Sequence, residues 1–132
     1  MTFKFESKER FHVITVSEPE LTASLSAALA QAATAILHPE TTTDDTIRNL
    51  VLVMQAVERI ELPAAESLIK IQSAFYAAGA SFVICGLQPG VVKTLDLADL
   101  TDLLNTTPTE SEAWDIVQME EIERELLGGE TE

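Results

Sequence analysis

Apolar and polar residues alternate near the start of the chain and later give way to continuous apolar runs. Residues 3–6 alternate between phenylalanine and a charged residue, and residues 11–16 place Phe11, Val13 and Thr15 on one side of an extended segment. A period of two predicts two strands. The polar stretch 7–10 between them is short enough to predict a hairpin.

Two later segments are apolar at nearly every position: residues 50–54 (LVLVM) and residues 81–85 (SFVIC). An unbroken apolar run predicts a strand that is covered on both faces, as in a parallel sheet. These strands alternate with predicted helices, and the whole chain has the expected order ββαβαβαβα, which is typical of an α/β fold.

Helical periodicity predicts the first two helices. The first covers residues 21–36, and residues 17–20 before it have the spacing of a capping box, with Thr22 as the alternative cap. Its predicted buried face comprises Leu21, Leu25, Ala28, Leu29, Ala32 and Ile36. The second covers residues 63–78, with Pro63 at its first position and Gly79 just past its end. Its predicted buried face comprises Leu68, Ile71, Phe75 and Ala78.

Shorter elements follow in the last third of the chain. The pattern predicts a short helix over residues 91–96 and a short strand over residues 103–105. A capping box at residues 109–112 opens a last helix, which is expected to end at residue 126 or 127 before two glycines. Trp114 in this helix is predicted to anchor it on the sheet, and an exposed contact for a partner is the alternative.

The net charge of the chain argues against nucleic acid and anionic lipid as partners. The chain has 132 residues and a net charge of −14, and such a surface repels the phosphates of nucleic acid and anionic lipid. Residues 110–132 hold nine acidic residues and one basic residue. A solvated helix face is the favoured interpretation of that segment, and a docking surface for a basic partner is the alternative. No linker or repeat divides the chain, so we expect one domain over residues 1–127 and an acidic tail over residues 128–132.

Features of secreted and membrane proteins are missing from the sequence. The first residues lack the apolar core of a signal peptide, and no stretch approaches the roughly 20 apolar residues of a membrane helix. The one cysteine, Cys85, excludes an intrachain disulfide and favours a reducing compartment. We therefore expect a cytoplasmic protein without membrane insertion.

Patterns for catalysis, metals and cofactors are missing as well. The histidines, the cysteine and the carboxylates match no zinc or calcium spacing, and no phosphate-binding loop or nucleophile elbow occurs. Cys85 lies in an apolar run and is predicted to be a core residue. His12 is placed on a strand face, and His38 is placed at a helix end. We therefore expect no enzyme activity, no metal and no cofactor.

Three segments in this order and spacing resemble the STAS domain family: residues 50–60 (LVLVMQAVERI), residues 78–87 (AGASFVICGL) and residues 89–100 (PGVVKTLDLADL). The family includes bacterial anti-sigma-factor antagonists, stressosome proteins and the tails of sulfate transporters. The resemblance implies a mixed sheet of four to five strands with about four helices and an N-terminal β-hairpin. It runs over nearly the whole chain and is strongest over residues 50–104.

One motif departs from the family. The antagonists carry an Asp-Ser-Ser-Gly turn whose serine is phosphorylated by a partner kinase, and the aligned residues here are Glu61, Leu62, Pro63 and Ala64. No hydroxyl remains at this turn, and Pro63 has no backbone amide to offer an anion. Ser67, one turn further along, is a candidate for a displaced phosphosite. An ordinary helix serine is the favoured interpretation of Ser67.

The resemblance implies a regulatory domain that binds another protein. The expected partner is an anti-sigma factor of the serine-kinase type or another component of a bacterial signalling assembly. The expected partner-binding residues are Glu58, Glu61, Leu62, Pro63, Ala64 and Ser67. Glu58, Glu61 and Glu66 also lie near enough in sequence to mimic paired catalytic carboxylates, and a solvated acidic rim is the favoured interpretation.

Two functions of other classes stay open. The first is a module that binds a nucleotide or an apolar molecule at the carboxyl ends of the strands, where open α/β sheets bind ligands. The second is a structural subunit that self-associates. A homodimer is compatible with either function.

Overall fold

The computed structural model describes residues 2–38 and 48–130, with side chains through residue 126. Within these residues the strands are Phe3–Ser7 (β1), His12–Val16 (β2), Glu20–Leu21 (β3), Leu50–Val53 (β4), Arg59–Ile60 (β5), Phe82–Cys85 (β6) and Thr106–Thr107 (β7). The α-helices are Ala23–Leu37 (α1), Leu62–Ala77 (α2), Pro89–Leu97 (α3) and Glu110–Glu130 (α4), and a 3-10 helix covers Thr101–Leu103. This set of elements confirms the predicted α/β fold.

Among the described strands, five form one mixed sheet in the order β1-β2-β4-β6-β7. β1 and β2 are antiparallel, with Phe3 opposite Val16, which confirms the predicted hairpin. The other neighbours run parallel, and Val51 in β4 lies between Val13 in β2 and Val83 in β6. Helices cover both faces of the sheet, and this explains why β4 and β6 are apolar at every position.

The sheet separates two apolar layers. α1, α2 and α3 cover one face, to which the strands contribute Ile14, Val16, Leu50, Leu52, Phe82 and Ile84. α4 covers the opposite face, where the buried residues are Phe11, Val13, Val51, Val53, Val83, Cys85, Ala113 and Val117. The prediction that Cys85 is a core residue is therefore confirmed.

The register of α1 differs from the prediction. The Thr22 side chain accepts a hydrogen bond from the Leu25 N–H at 3.1 Å, so Thr22 is the cap, and the capping box predicted at residues 17–20 is wrong. Leu21 belongs to β3, and Ala28 is exposed. The buried residues of α1 are Ser26, Leu29, Ala33 and Leu37. Small alanines lie on every side of this helix, so apolar spacing alone does not fix which side is buried.

The last residue of α1 and both ends of α2 lie within one residue of their predicted positions, whereas α1 begins two residues later than predicted. His38 follows α1, and its backbone N–H donates to the carbonyl oxygen of Thr34 at 2.8 Å. α2 begins at Leu62, so Pro63 is its second residue. Gly79 follows α2 with a φ of +76°, a left-handed conformation that costs glycine little. The buried residues of α2 include the predicted Leu68, Ile71 and Phe75.

Two predictions in the last third of the chain are wrong. Residues 103–105 are not a strand, because the 3-10 helix ends at Leu103 and pairing with β6 begins only at Thr106. α4 begins as predicted, with the Thr109 hydroxyl accepting a hydrogen bond from the Glu112 N–H at 3.2 Å. It then continues through both glycines to residue 130. Glycine tolerates helical dihedral angles and ends a helix only where it adopts the left-handed conformation.

Trp114 does not anchor α4, and the prediction that it does is wrong. Its side chain is 37% exposed, whereas Ala113 and Val117 are fully buried against the sheet. The small side chains of Ala113 and Val117 let the helix axis lie close to β4 and β6, which leaves no room for an indole on that side.

A polar network fixes α4 at the end of the sheet where β4 and β6 begin. The Asn49 side-chain amide donates to the Glu121 carboxylate at 2.5 Å and to the Arg10 carbonyl oxygen at 3.0 Å. Its Oδ1 atom accepts from the Ser81 backbone N–H at 2.8 Å and from the Arg124 guanidinium at 3.3 Å. Arg124 also donates to the Ser81 hydroxyl at 3.1 Å, and Arg10 pairs with Glu121 at 3.1 Å. Asn49 thereby joins the hairpin, two strands and the last helix.

Some predictions concern residues outside the described ranges. The polar run of residues 40–45 (ETTTDD) predicts a loop that lies outside these ranges, and the last two residues of the acidic tail lie outside them as well. The division into a domain over residues 1–127 and a tail over residues 128–132 stays a prediction. In the part of the chain that the structure describes, no helix is both long enough and apolar enough to cross a membrane.

Candidate functional site

Two short parallel strands bring the starts of α1 and α2 side by side. β3 and β5 pair with Leu21 opposite Ile60. Before this pair, the Glu58 N–H donates to the Pro19 carbonyl oxygen at 2.7 Å, and after it the Glu61 N–H donates to the Leu21 carbonyl oxygen at 3.0 Å. Because each strand runs almost directly into a helix, both helices begin at the same edge of the fold.

Glu61 links these two helix starts. It occupies the N-cap position of α2, where its side chain makes no capping bond to α2 itself. Its Oε1 atom instead accepts a hydrogen bond of 2.7 Å from the backbone N–H of Ala23, the first residue of α1. A carboxylate is favourable there because the first amides of a helix lack intrahelical partners and form the positive end of its dipole.

Ser67 lies half-buried at the contact between α2 and α1. The hydroxyl of Ser26, a buried residue of α1, donates to the Ala23 carbonyl oxygen at 2.8 Å and lies 3.5 Å from the Ser67 hydroxyl. The two serines therefore face each other about one turn into their helices. A phosphate on Ser67 would have to enter this contact between helices.

Five exposed residues lie at and just before the start of α2, and we call them the α2 surface: Glu58, Arg59, Glu61, Leu62 and Pro63. Leu62 is its large apolar member and is 47% exposed. Glu66, one turn along the helix, is exposed as well, in keeping with a solvated acidic rim. Ala64, which is also among the expected partner-binding residues, is fully buried in the core and is not part of the α2 surface.

α3 supports the α2 surface through Gly90. A Cβ atom on Gly90 would lie 2.5 Å from the carbonyl oxygen of Glu58, which is too close for any side chain. The Gln88 side-chain amide donates to the Gln55 carbonyl oxygen at 2.5 Å and holds the start of α3 in the same place. The sequence does not predict this support, because the Pro89-Gly90 pair is typical of a turn, whereas the structure shows the first turn of a helix there.

An open groove of about 520 Å³ runs along α3. Its lining consists of Leu87, Pro89, Val92, Lys93, Asp96 and Leu97. The groove begins two residues past the carboxyl end of β6, at the edge where open α/β sheets bind small ligands. Leu97 is 78% exposed and forms part of an apolar wall.

Reactive chemistry is not favoured by the groups that the structure places. Burial, and to a smaller extent the negative charge of Glu110, raises the pKa of the Cys85 thiol to about 11, so the thiol stays protonated and is a poor nucleophile. Within the described residues, no cluster of three or more His, Cys, Asp or Glu side chains is placed to hold a metal. The His12 Nδ1 atom lies 3.1 Å from the Ser7 hydroxyl across the hairpin. What the geometry offers is a rigid surface.

Comparisons with known proteins agree with this geometry. The family model described as STAS domain matches residues 3–113. An anti-sigma factor antagonist from Mycobacterium paratuberculosis is 22% identical with a TM-score of 0.71, over 89% of this chain and 93% of that chain. An anti-sigma-factor antagonist (STAS) domain protein from Planctomyces limnophilus is 15% identical with a TM-score of 0.71, over 88% and 97% of the two chains.

A similar fold also occurs within a much larger protein. The murine anion transporter solute carrier 26 family member A9 is 18% identical with a TM-score of 0.66, over 86% of this chain and 18% of the transporter. Among curated proteins, none matches this chain. At these identities the structural likeness establishes the fold.

Proposed function

This chain belongs to the STAS domain family, and from that premise we propose that it is a non-catalytic regulatory domain that binds another protein through the α2 surface. Solved structures that resemble it bear the name of anti-sigma-factor antagonists. This chain shares their fold, and the exposed residues at the start of its α2 helix would contact the partner.

The observation that carries the proposal is an exposed apolar residue on a rigid support. Leu62 is 47% exposed at the first position of α2. Its backbone is fixed by the pairing of β3 with β5, by the bond from Ala23 to Glu61 and by the approach of Gly90 to Glu58. Binding of a partner over Leu62 therefore costs little conformational entropy in this chain, because the backbone is already ordered.

We propose that this contact is fixed rather than switched by phosphate at the start of α2. Residues 61–64 carry no hydroxyl group. Pro63 lacks the amide that would stabilise an anion at the helix start, and Glu61 already places a carboxylate between the two helices. Ser67 faces Ser26 in the contact between α1 and α2, which supports a structural role for its hydroxyl.

The proposed partner is an anti-sigma factor of the serine-kinase type or another component of a cytoplasmic signalling assembly that regulates bacterial transcription. The chain has a net charge of −14, and Glu58 and Glu61 are exposed beside Leu62. A partner surface with an apolar pocket and basic residues around it is complementary to this arrangement. Arg59 adds one positive charge to the same surface.

Affinity capture from native cells with a matched pair of variants tests the proposal. Leu62→Ser removes the apolar residue of the α2 surface, and Leu103→Ser removes a comparably exposed leucine (54% against 47%) from the 3-10 helix. We expect the unmodified chain and Leu103→Ser to recover one partner in stoichiometric amount and Leu62→Ser to lose it. Titration of the isolated pair should show an affinity roughly tenfold lower for Leu62→Ser. Equal capture by both variants would contradict the role of the α2 surface.

Phosphorylation is tested separately, by mass spectrometry of the chain after incubation with the captured partner and ATP. We expect no phosphate on residues 61–67. Stoichiometric phosphate on Ser67 would contradict a fixed docking surface and would establish a displaced switch.

A second candidate function is supported by the groove along α3. Its volume of about 520 Å³ and its mainly apolar lining suit a small apolar molecule, and Lys93 is its one cation, which disfavours a nucleotide. A fatty acid or a hydrophobic dye should then raise the melting temperature of the isolated chain, and Leu97→Asp should remove the effect. No change in melting temperature with either probe would contradict this function.

Self-association is distinguished by sedimentation of the purified chain. An oligomer that does not depend on concentration and captures no further partner would favour a structural subunit or homodimer over the regulatory domain.

A further inference from the structure

The outward side of α4 carries an apolar stripe, defined as Met119, Ile122 and Leu126. These side chains are 59%, 56% and 65% exposed. Their spacing of three and four residues places them on one side of the helix. Exposed large apolar residues that lie together on a helix differ from scattered ones, because they form a surface that a second helix can cover.

The orientation of α4 is fixed, so the apolar stripe cannot turn into the core. On the sheet-facing side, Glu121 accepts from Asn49 at 2.5 Å and Arg124 donates to Ser81 at 3.1 Å. From the edge of the sheet, the Tyr76 hydroxyl of α2 donates to the Glu120 carboxylate at 2.8 Å. Rolling the helix to bury Ile122 would break all three contacts.

Acidic side chains surround the apolar stripe, because Glu123 and Glu125 lie on its two sides and Asp115 lies one turn before Met119. Asp115, Glu123 and Glu125 are exposed on the same helix. The one basic residue of this segment, Arg124, is directed toward Ser81 and Asn49. A second copy of the chain would bring the same carboxylates against these, and like charges at close range oppose such pairing. Basic residues beside an apolar face are complementary to this surface.

We propose that the apolar stripe of α4 binds an amphipathic helix of a partner protein, in which lysine or arginine residues flank the apolar face. Pairing of two amphipathic helices, as in coiled coils, uses apolar anchors at spacings of three, four and seven residues. The sheet lies between α4 and the helices on its other face, so this surface is separate from the α2 surface. The domain can therefore contact two proteins at once.

The test uses synthetic peptides and the full chain. One fluorescein-labelled peptide of leucine and lysine places its leucines on one helical side, and a second has the same composition in scrambled order. By fluorescence anisotropy at physiological ionic strength, we expect the amphipathic peptide to bind about tenfold more tightly than the scrambled one. Ile122→Ser should weaken this binding about fivefold. Leu103→Ser, which removes a similarly exposed residue (54% against 56%), should leave it unchanged.

Three outcomes would overturn the proposal. Equal binding of the two peptides would mean that charge alone attracts them. Equal affinity of Ile122→Ser and Leu103→Ser would mean that the apolar stripe is not the contact. A dimer in sedimentation that Ile122→Ser dissolves, together with no peptide binding, would mean that a second copy covers the stripe. The peptide measurements do not involve the partner that is captured through Leu62. Failure of the α2-surface proposal would therefore leave their results unchanged, and the two proposals are tested independently.

Discussion

The Glu61 carboxylate accepts a hydrogen bond of 2.7 Å from the backbone N–H of Ala23, so the residue that precedes α2 completes the start of α1. The contact joins residues 38 positions apart in the chain. It depends on β3 and β5, whose parallel pairing brings both helix starts to one edge. Glu61 thus has a structural role in this protein, because it joins the starts of two helices.

Replacement of Glu61 should therefore lower stability more than replacement of another exposed glutamate. Glu61→Ala leaves the Ala23 amide without its acceptor, and we expect a loss of about 1 kcal/mol in the free energy of unfolding. Glu61→Gln keeps an acceptor oxygen without the charge and should lose about half as much. Urea denaturation measures both. Glu66→Ala, on the same helix, is the control, and an equal loss from Glu66→Ala would contradict the role of the contact.

Gly90 and Gly79 should respond differently to the same substitution. Gly90→Ala places a Cβ atom 2.5 Å from the Glu58 carbonyl oxygen and must push α3 away, so we expect a loss of about 2 kcal/mol. Gly79 has no atom within 4 Å of a Cβ atom, and its cost comes only from its φ of +76°. Gly79→Ala should therefore lose about 1 kcal/mol.

Partner binding separates these two glycine variants further. Because Gly90 supports Glu58, Gly90→Ala should also weaken binding at the α2 surface, whereas Gly79→Ala should not. Thermal unfolding and titration with the captured partner measure the two effects. A Gly90→Ala variant as stable as the unmodified chain would show that α3 moves without cost.

Alkaline pH should destabilise the protein through Cys85. Burial raises the pKa of this thiol from 9.0 to about 11, so between these values the folded chain keeps a proton that the unfolded chain loses. The stabilisation is fully present below pH 9, and it is lost as pH rises toward 11, by up to roughly 3 kcal/mol. Tyr76, whose pKa burial raises to about 12, contributes in the same direction at higher pH.

The Cys85→Ala variant isolates the thiol from Tyr76, which both proteins contain. The difference in unfolding free energy between the unmodified chain and Cys85→Ala should shrink from pH 8 to pH 11 in urea titrations. A difference that does not change over this range would contradict the pKa of the buried thiol. In the native chain at pH 8, Cys85 should also react with thiol reagents only as fast as the protein unfolds.

The elements that could be predicted from sequence are those in which a local pattern and the tertiary environment agree. Residues 50–53 and 82–85 are apolar at every position because both faces of the sheet are covered. The cap at Thr109 follows from its local spacing to Glu112. These features need no knowledge of distant parts of the chain.

The features that escaped prediction depend on contacts between distant residues. β3 and β5 have two residues each, too few to show any period, and each exists only through the other. The exposure of Trp114 follows from the close approach of α4 to the sheet at Ala113. In the sequence, Asn49 is one polar residue before a strand. Its partners Glu121 and Arg124 lie far along the chain, so its role is visible only in the folded structure. At the candidate site, the sequence predicted the start of α2 to within one residue. It did not predict that Ala64 is buried, because that depends on how α2 packs against the rest of the fold.

The helix that covers the second face of the sheet extends beyond the residues that the family model matches. The STAS family match stops at residue 113, while α4 continues to residue 130. Without the rest of α4, the valines of three strands would face water, and Asn49 and Ser81 would lose Glu121 and Arg124. The residues that the family model matches therefore leave out most of the helix that covers this face, and we expect a fragment cut at residue 113 to expose the apolar face and to aggregate.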